Sequence, residues 1–136
     1  MKIETIEDFF KLIKSDDEGE RYRLRSDEIS YDVIVEIIRN HPEYADTLTI
    51  NKNLDERDLR ALSKSNCRRT RSSVADVRRL PNDVFQELSC DCEETVRASL
   101  ARNKKCPDEI FNRLLVDASP LVSEAARESI KWRRKP

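Results

Sequence analysis

Pro81-Asn82-Asp83-Val84-Phe85-Gln86-Glu87-Leu88 returns 26 residues later as Pro107-Asp108-Glu109-Ile110-Phe111-Asn112-Arg113-Leu114. In both stretches a proline opens the segment, capping or acidic residues follow, and an apolar pair is answered three residues on by leucine. The same step carries Asp91 to Asp117 and Val96 to Val122, and backwards Leu88 to Leu62 and Phe85 to Leu59. With one residue lost, the series reaches Ile37 and Ile34, which puts Ser30 where Asp55 stands. Self-similarity at a period of roughly 20 to 50 residues signals stacked repeats.

Each repeat is expected to be two helices. The first starts at Ser30, Asp55, Pro81 and Pro107: Ser and Asp are N-cap residues, and proline suits the first helical position, where its missing amide proton costs nothing. Asn82-Asp83 and Asp108-Glu109 then place negative or capping groups against the positive end of the helix dipole. Inside this helix Ile110, Phe111, Leu114 and Leu115 form a wide apolar stripe, as do Val33, Ile34, Ile37 and Ile38. In the two middle copies Ser63 and Ser89 take the fourth position and Asp58 takes the first, so those helices are expected to be less enclosed. The second helix follows a corner at which Asp91 and Glu94 have the spacing of a capping box, and Ser119-Pro120 supplies a cap and a first-position proline. Val96, Ser99, Leu100 and Asn103 share one face of it, matched by Val122, Ala125, Ala126 and Ser129. Asn51 and Asn103 stand two periods apart and are candidates for the left-handed residue that ends a helix.

Val96-Arg97-Ala98-Ser99-Leu100-Ala101-Arg102-Asn103, followed by Pro107-Asp108-Glu109-Ile110-Phe111 and Leu114, resembles the leucine-rich repeat variant and, more broadly, the HEAT-like helical repeats. The likeness is best over Leu80 to Ile130, weaker over Ser30 to Val77 and absent before Asp27. It implies a scaffold that binds other macromolecules and does little chemistry. Some variant-family members are linked to an iron–sulfur cluster through a separate cysteine cluster; this chain has no convincing copy, and no cofactor is expected.

The fold expected is all-α: a short right-handed α-solenoid of helical pairs in a single domain over residues 1–136. Residues 1–26 form its N-terminal cap, 27–130 the repeats and 131–136 a basic tail. Gly19 is the only glycine of the 136 residues, too few for the positive-φ turns of many hairpins. Ile6, Phe9, Phe10 and Ile13 predict one amphipathic helix, with Ser15 to Glu20 as a charged loop, covering one end of the stack. Ile130 and Trp132 are expected to close the core, and Arg133-Arg134-Lys135 to be solvated. No apolar stretch has the form of a signal peptide or approaches the roughly 20 residues that span a bilayer, so a cytoplasmic protein with reduced thiols is expected.

Known catalytic patterns are missing. His41 is the only histidine, Cys90 and Cys92 have one residue between them where zinc ligands usually have two to four, and no glycine-rich loop could cradle phosphate. No nucleophile, base and oxyanion donor come together, so neither an enzyme nor a metal site is expected. Cys106 falls in register with Leu80 and Leu54, and the thiols read as structural, small buried hydrophobes.

Charge is what remains. Residues 1–67 hold 11 Lys and Arg against 16 Asp and Glu, a net of −5, whereas residues 68–136 hold 15 against 11, a net of +4. Opposed fields of this kind steer docking to a complementary partner. The leading expectation is a protein-binding module. In size, solubility and architecture the chain is similar to immunity proteins of bacterial toxin systems, and a basic toxin such as a nuclease would meet Asp16, Asp17, Glu18, Glu20 and Asp46. The alternative is a HEAT-like nucleic-acid binder using Arg68, Arg71, Arg78, Arg97 and Arg102, with Arg71 and Arg97 as a ridge. The overall pI near 6.0 weighs against it. No membrane partner is expected.

Overall fold

The structure, a computed structural model, describes residues 1–133. Arg134 and Lys135, expected in the solvated tail, lie outside the described residues. The chain separates into two compact units, Met1–Ser65 and the part from Asn66 on. Among the described residues are ten α-helices and one pair of two-residue strands, so the protein is all-α in character. None of these helices is long and apolar enough to cross a membrane.

In the first unit β1 (Lys2–Ile3) pairs in parallel with β2 (Glu28–Ile29), enclosing α1 (Ile6–Lys14) and α2 (Glu18–Ser26) between them in sequence. There follow α3 (Tyr31–Asn40), a 3-10 turn at Pro42–Tyr44, α4 (Ala45–Thr49) and α5 (Glu56–Ser63). Thr5 caps α1 by accepting from the Asp8 amide, and Phe9 and Leu12 take its apolar face inward. Phe9 and Phe10 meet Tyr44 edge to face, and Phe10 also meets His41, so the only histidine is part of an aromatic cluster. The loop expected from Ser15 to Glu20 is shorter than that. Asp17 is the N-cap of α2, accepting from the Glu20 amide, and Glu18, Gly19 and Glu20 are already helical.

The second unit holds α6 (Arg68–Ala75), α7 (Asn82–Ser89), α8 (Glu94–Ala101), α9 (Asp108–Leu115) and α10 (Pro120–Arg133). Pro81 and Pro107 are the N-cap residues of α7 and α9, one position before the first-turn place expected, with extended backbone of φ near −60°. Proline's fixed φ suits that position as well, and its missing N–H is no loss there. α8 packs against both α6 and α10, and α7 against α9. Between these helices are buried Val84, Phe85, Leu88, Ile110, Phe111 and Leu114, with Cys106 and Leu80 at the helix approaches. Each such large apolar side chain contributes roughly 1.5–3 kcal/mol by leaving water.

Several expectations are corrected. Asp58 and Ser63 are buried rather than loosely enclosed: Asp58 closes a reciprocal capping box with Asp55, and the Ser63 hydroxyl donates to the Arg60 carbonyl. Burial pushes the Asp58 carboxyl above the usual aspartate value, and the charge of Asp55 adds to the shift. Asp91 and Glu94 do not form a capping box, since the N-cap of α8 is Glu93, whose amide donates to Asp91. Trp132 is 45% exposed and does not close the core. Arg133 is not part of a solvated tail. It ends α10 with its guanidinium over the Phe111 ring, donating to the carbonyls of Asn103 and Cys106 and to Asp108.

Candidate functional site

Arg71 and Arg97, the expected ridge, are occupied within the second unit. Arg97 Nε donates to Asp117 Oδ2 at 2.9 Å and Nη2 to Oδ1 at 3.1 Å, while Nη1 reaches the Asp91 carbonyl at 2.6 Å. Arg71 makes the same fork with Asp91, at 2.8 and 3.2 Å. In each pair the arginine lies on the second helix and the aspartate stands 20 residues on, at the corner that precedes the next second helix. The aspartates do double service, because Asp91 accepts from the Glu93 amide and Asp117 from the Ser119 amide. These forks are charge-assisted and geometrically matched. Both guanidiniums are held above their ordinary value, first by the hydrogen bond to the aspartate. For Asp117, burial opposes ionisation, but the Arg97 hydrogen bond, the Ser119 amide and the Arg97 charge outweigh it and keep the carboxyl below the usual range.

The asparagines are likewise structural brackets. No described residue has positive φ, so neither Asn51 nor Asn103 is a left-handed terminator. Instead, Asn103 Nδ2 donates to the Ala75 and Val77 carbonyls at the end of α6, and its side-chain oxygen accepts from the Lys105 amide. Asn51 repeats the arrangement on the Leu24 and Asp27 carbonyls and the Asn53 amide. Ser129 does part of the same work, donating to the Ala101 carbonyl.

The other arginines of the expected ridge divide. Arg68 is exposed and pairs with Glu93 at 3.5 Å. Arg78 and Arg102 come together with Lys104 and the exposed Trp132 around a depression of about 360 Å³, which Asp76 and Asn103 also line. Lys104 and Trp132 were not singled out for this place from sequence. The only signal was a lone tryptophan in an otherwise polar helix end.

In the first unit a groove of about 510 Å³ is lined by Ile13, Glu18, Arg21, Tyr22, Leu24, Arg25, Thr47 and Ile50. Tyr22 and Ile50 are half exposed, at 51% and 50%. Of the acidic residues expected to meet a partner, Glu18 is on the groove wall. Asp16, Asp17 and Glu20 stand exposed beside it at the start of α2, and Asp46 is half-buried in α4, next to the groove residue Thr47. Arg21 and Arg25 make the groove mixed in sign rather than wholly acidic.

None of the four cysteines is in a disulfide, and their settings differ. Cys106 is buried, and desolvation pushes its thiol up to about 11. Cys90 and Cys92 are exposed, against the expectation of buried structural thiols. Compared with protein-family models, with curated proteins and with solved structures, the chain matches none.

Proposed function

We propose that this chain is a non-enzymatic protein-binding module built from helical-pair repeats of about 26 residues, and that it works as an immunity-type inhibitor covering a basic toxin such as a nuclease. The repeat reading is supported by helix starts at Glu56, Asn82 and Asp108 and at Arg68, Glu94 and Pro120, each 26 residues apart. Equivalent forks at Arg71–Asp91 and Arg97–Asp117 support it too.

The observation that carries the binding reading is the groove of the first unit. Tyrosine is enriched where a few residues dominate binding energy, and a half-exposed Tyr22 beside Ile50 and Ile13 offers an apolar seat for one anchoring side chain. Around it the charge favours a basic partner. The unit ends at Ser65, and only uncharged Asn66 and Cys67 separate that point from the divide in charge, so the unit carries the whole net of −5. Such a field raises the rate of encounter, while the anchor sets the lifetime.

The test is retention of a partner from the native host by the full chain, with mass spectrometry of what is held. A single stoichiometric basic protein is expected, bound through an interface on the order of 1,200 to 2,000 Å². Tyr22→Ala should speed its dissociation, and Glu18→Lys with Glu20→Lys should slow its association. A partner held equally well by all these variants, or no stoichiometric protein at all, refutes the reading.

A further inference from the structure

The depression of the second unit gathers its lining from three places. Asp76 and Arg78 follow α6, Arg102 and Lys104 follow α8, and Trp132 is in the last turn of α10. Cations after a helix end often serve its carbonyls and its negative dipole end. Here other groups do that work: Asn103 takes the carbonyls of Ala75 and Val77, Ser129 that of Ala101, and Arg133 those of Asn103 and Cys106. Among the described residues no ion pair engages Arg78, Arg102 or Lys104, and no cation lies over the Trp132 ring. Three positive side chains, reduced by one at Asp76, therefore surround an indole that is 45% exposed.

We infer that this depression binds a nucleotide unit of single-stranded nucleic acid, with a base stacked on Trp132 and the flanking phosphates between Arg78, Arg102 and Lys104. Flat aromatic faces beside cationic side chains are how sequence-tolerant binders hold unpaired strands, since every base offers a π face and every linkage a phosphate. At about 360 Å³ the depression is at the small end of ligand sites, which suits a single nucleotide unit better than a longer segment. An acidic peptide would use the cations but would leave the indole without a planar partner. A duplex would keep its bases stacked away from it. The site lies in the second unit and is independent of the protein-binding groove proposed for the first.

Trp132 is the only tryptophan, so its emission reads this site alone. In the full chain, an oligothymidylate of about eight nucleotides should quench that emission saturably at low salt. The logarithm of affinity should fall with that of salt at a slope of about −1.4, from about 0.7 for each of the two phosphates that flank the stacked base. Arg102→Gln and Arg78→Gln should each flatten the slope by about 0.7. Trp132→Leu, followed by anisotropy of a labelled oligonucleotide, should weaken binding by roughly fivefold or more. Thymidine monophosphate should bind more weakly than the strand, and polyglutamate should leave the emission unchanged. The proposal is overturned by no saturable quench, by equal quench with polyglutamate, by monophosphate binding as tightly as the strand, or by arginine variants that keep the parent slope.

Discussion

Replacing Arg97 by methionine keeps most of its stem but removes the fork to Asp117. The side chains of the pair are 18% and 12% exposed, so the change leaves a carboxylate mostly out of water with only the Ser119 amide as donor. Hydrogen bonds to charged groups are worth about 1.5–3 kcal/mol each, and breaking a buried pair from one side costs about 3–5 kcal/mol. The surviving amide and the residual solvent access bring the expectation to the low end, about 3 kcal/mol, or roughly a hundredfold in the folding constant. The exposed pair Arg68–Glu93 of the same unit, at 3.5 Å, sets the contrast: Arg68→Gln should cost only about 0.2–1 kcal/mol. Urea unfolding followed by Trp132 emission reads the second unit, where the fork lies. Combining Arg97→Met with Asp117→Asn should recover much of the loss, because no charge is then stranded, and the coupling should approach about 2 kcal/mol. If Arg97→Met costs less than about 1 kcal/mol, the fork is a surface contact and the reasoning fails.

Three further outcomes are expected. Asn103→Ala strands the carbonyls of Ala75 and Val77 and the Lys105 amide, and should lower stability by about 1–3 kcal/mol in thermal unfolding; Asn103→Asp, which cannot donate, should not rescue it. Because the native Asp117 carboxyl lies below its ordinary value of 3.8, the unfolded chain takes the proton first. Its contribution is therefore full above that value and is lost as pH falls through it towards the native value, so Asp117→Asn should flatten the acid limb of the urea midpoint against pH. Iodoacetamide at about pH 8 should alkylate Cys90 and Cys92 and spare Cys106, whose thiol is buried and pushed up to about 11, until denaturant is added; peptide mass spectrometry showing Cys106 labelled alongside them would count against the packing.

The helices of the second unit were legible because their signals are local. Pro81 and Pro107 mark starts within one residue, and Phe85 and Phe111 are buried in equivalent helices. What escaped depends on contacts distant in sequence. The α2 stretch has little apolar stripe, with Leu24 its one buried residue, and β1 exists only because Ile3 finds Ile29. Asn51 and Asn103 were noticed for their spacing, but their partners are carbonyls 24 to 28 residues earlier, which no local rule points to. The forks carried a usable signal that went unconnected. Arg71 to Arg97 and Asp91 to Asp117 advance by the same step, and opposite charges advancing together are what an internal pair requires. At the two candidate sites, Glu18, Arg78 and Arg102 were singled out from sequence, whereas the half-covered rings of Tyr22 and Trp132 depend on how much of each face the surrounding helices leave open.

Arg97 holds two corners at once, the one behind through the Asp91 carbonyl and the one ahead through Asp117. Such a brace limits how the chain can change in length. A cut of arbitrary size between Arg71 and Asp91 parts the arginine from its acceptor, but excising Asp91 through Val116 would bring Asp117 to the place Asp91 held. On the repeat reading proposed above, a deletion of that one length keeps an acceptor in front of Arg71, and a deletion of another length leaves its guanidinium stranded.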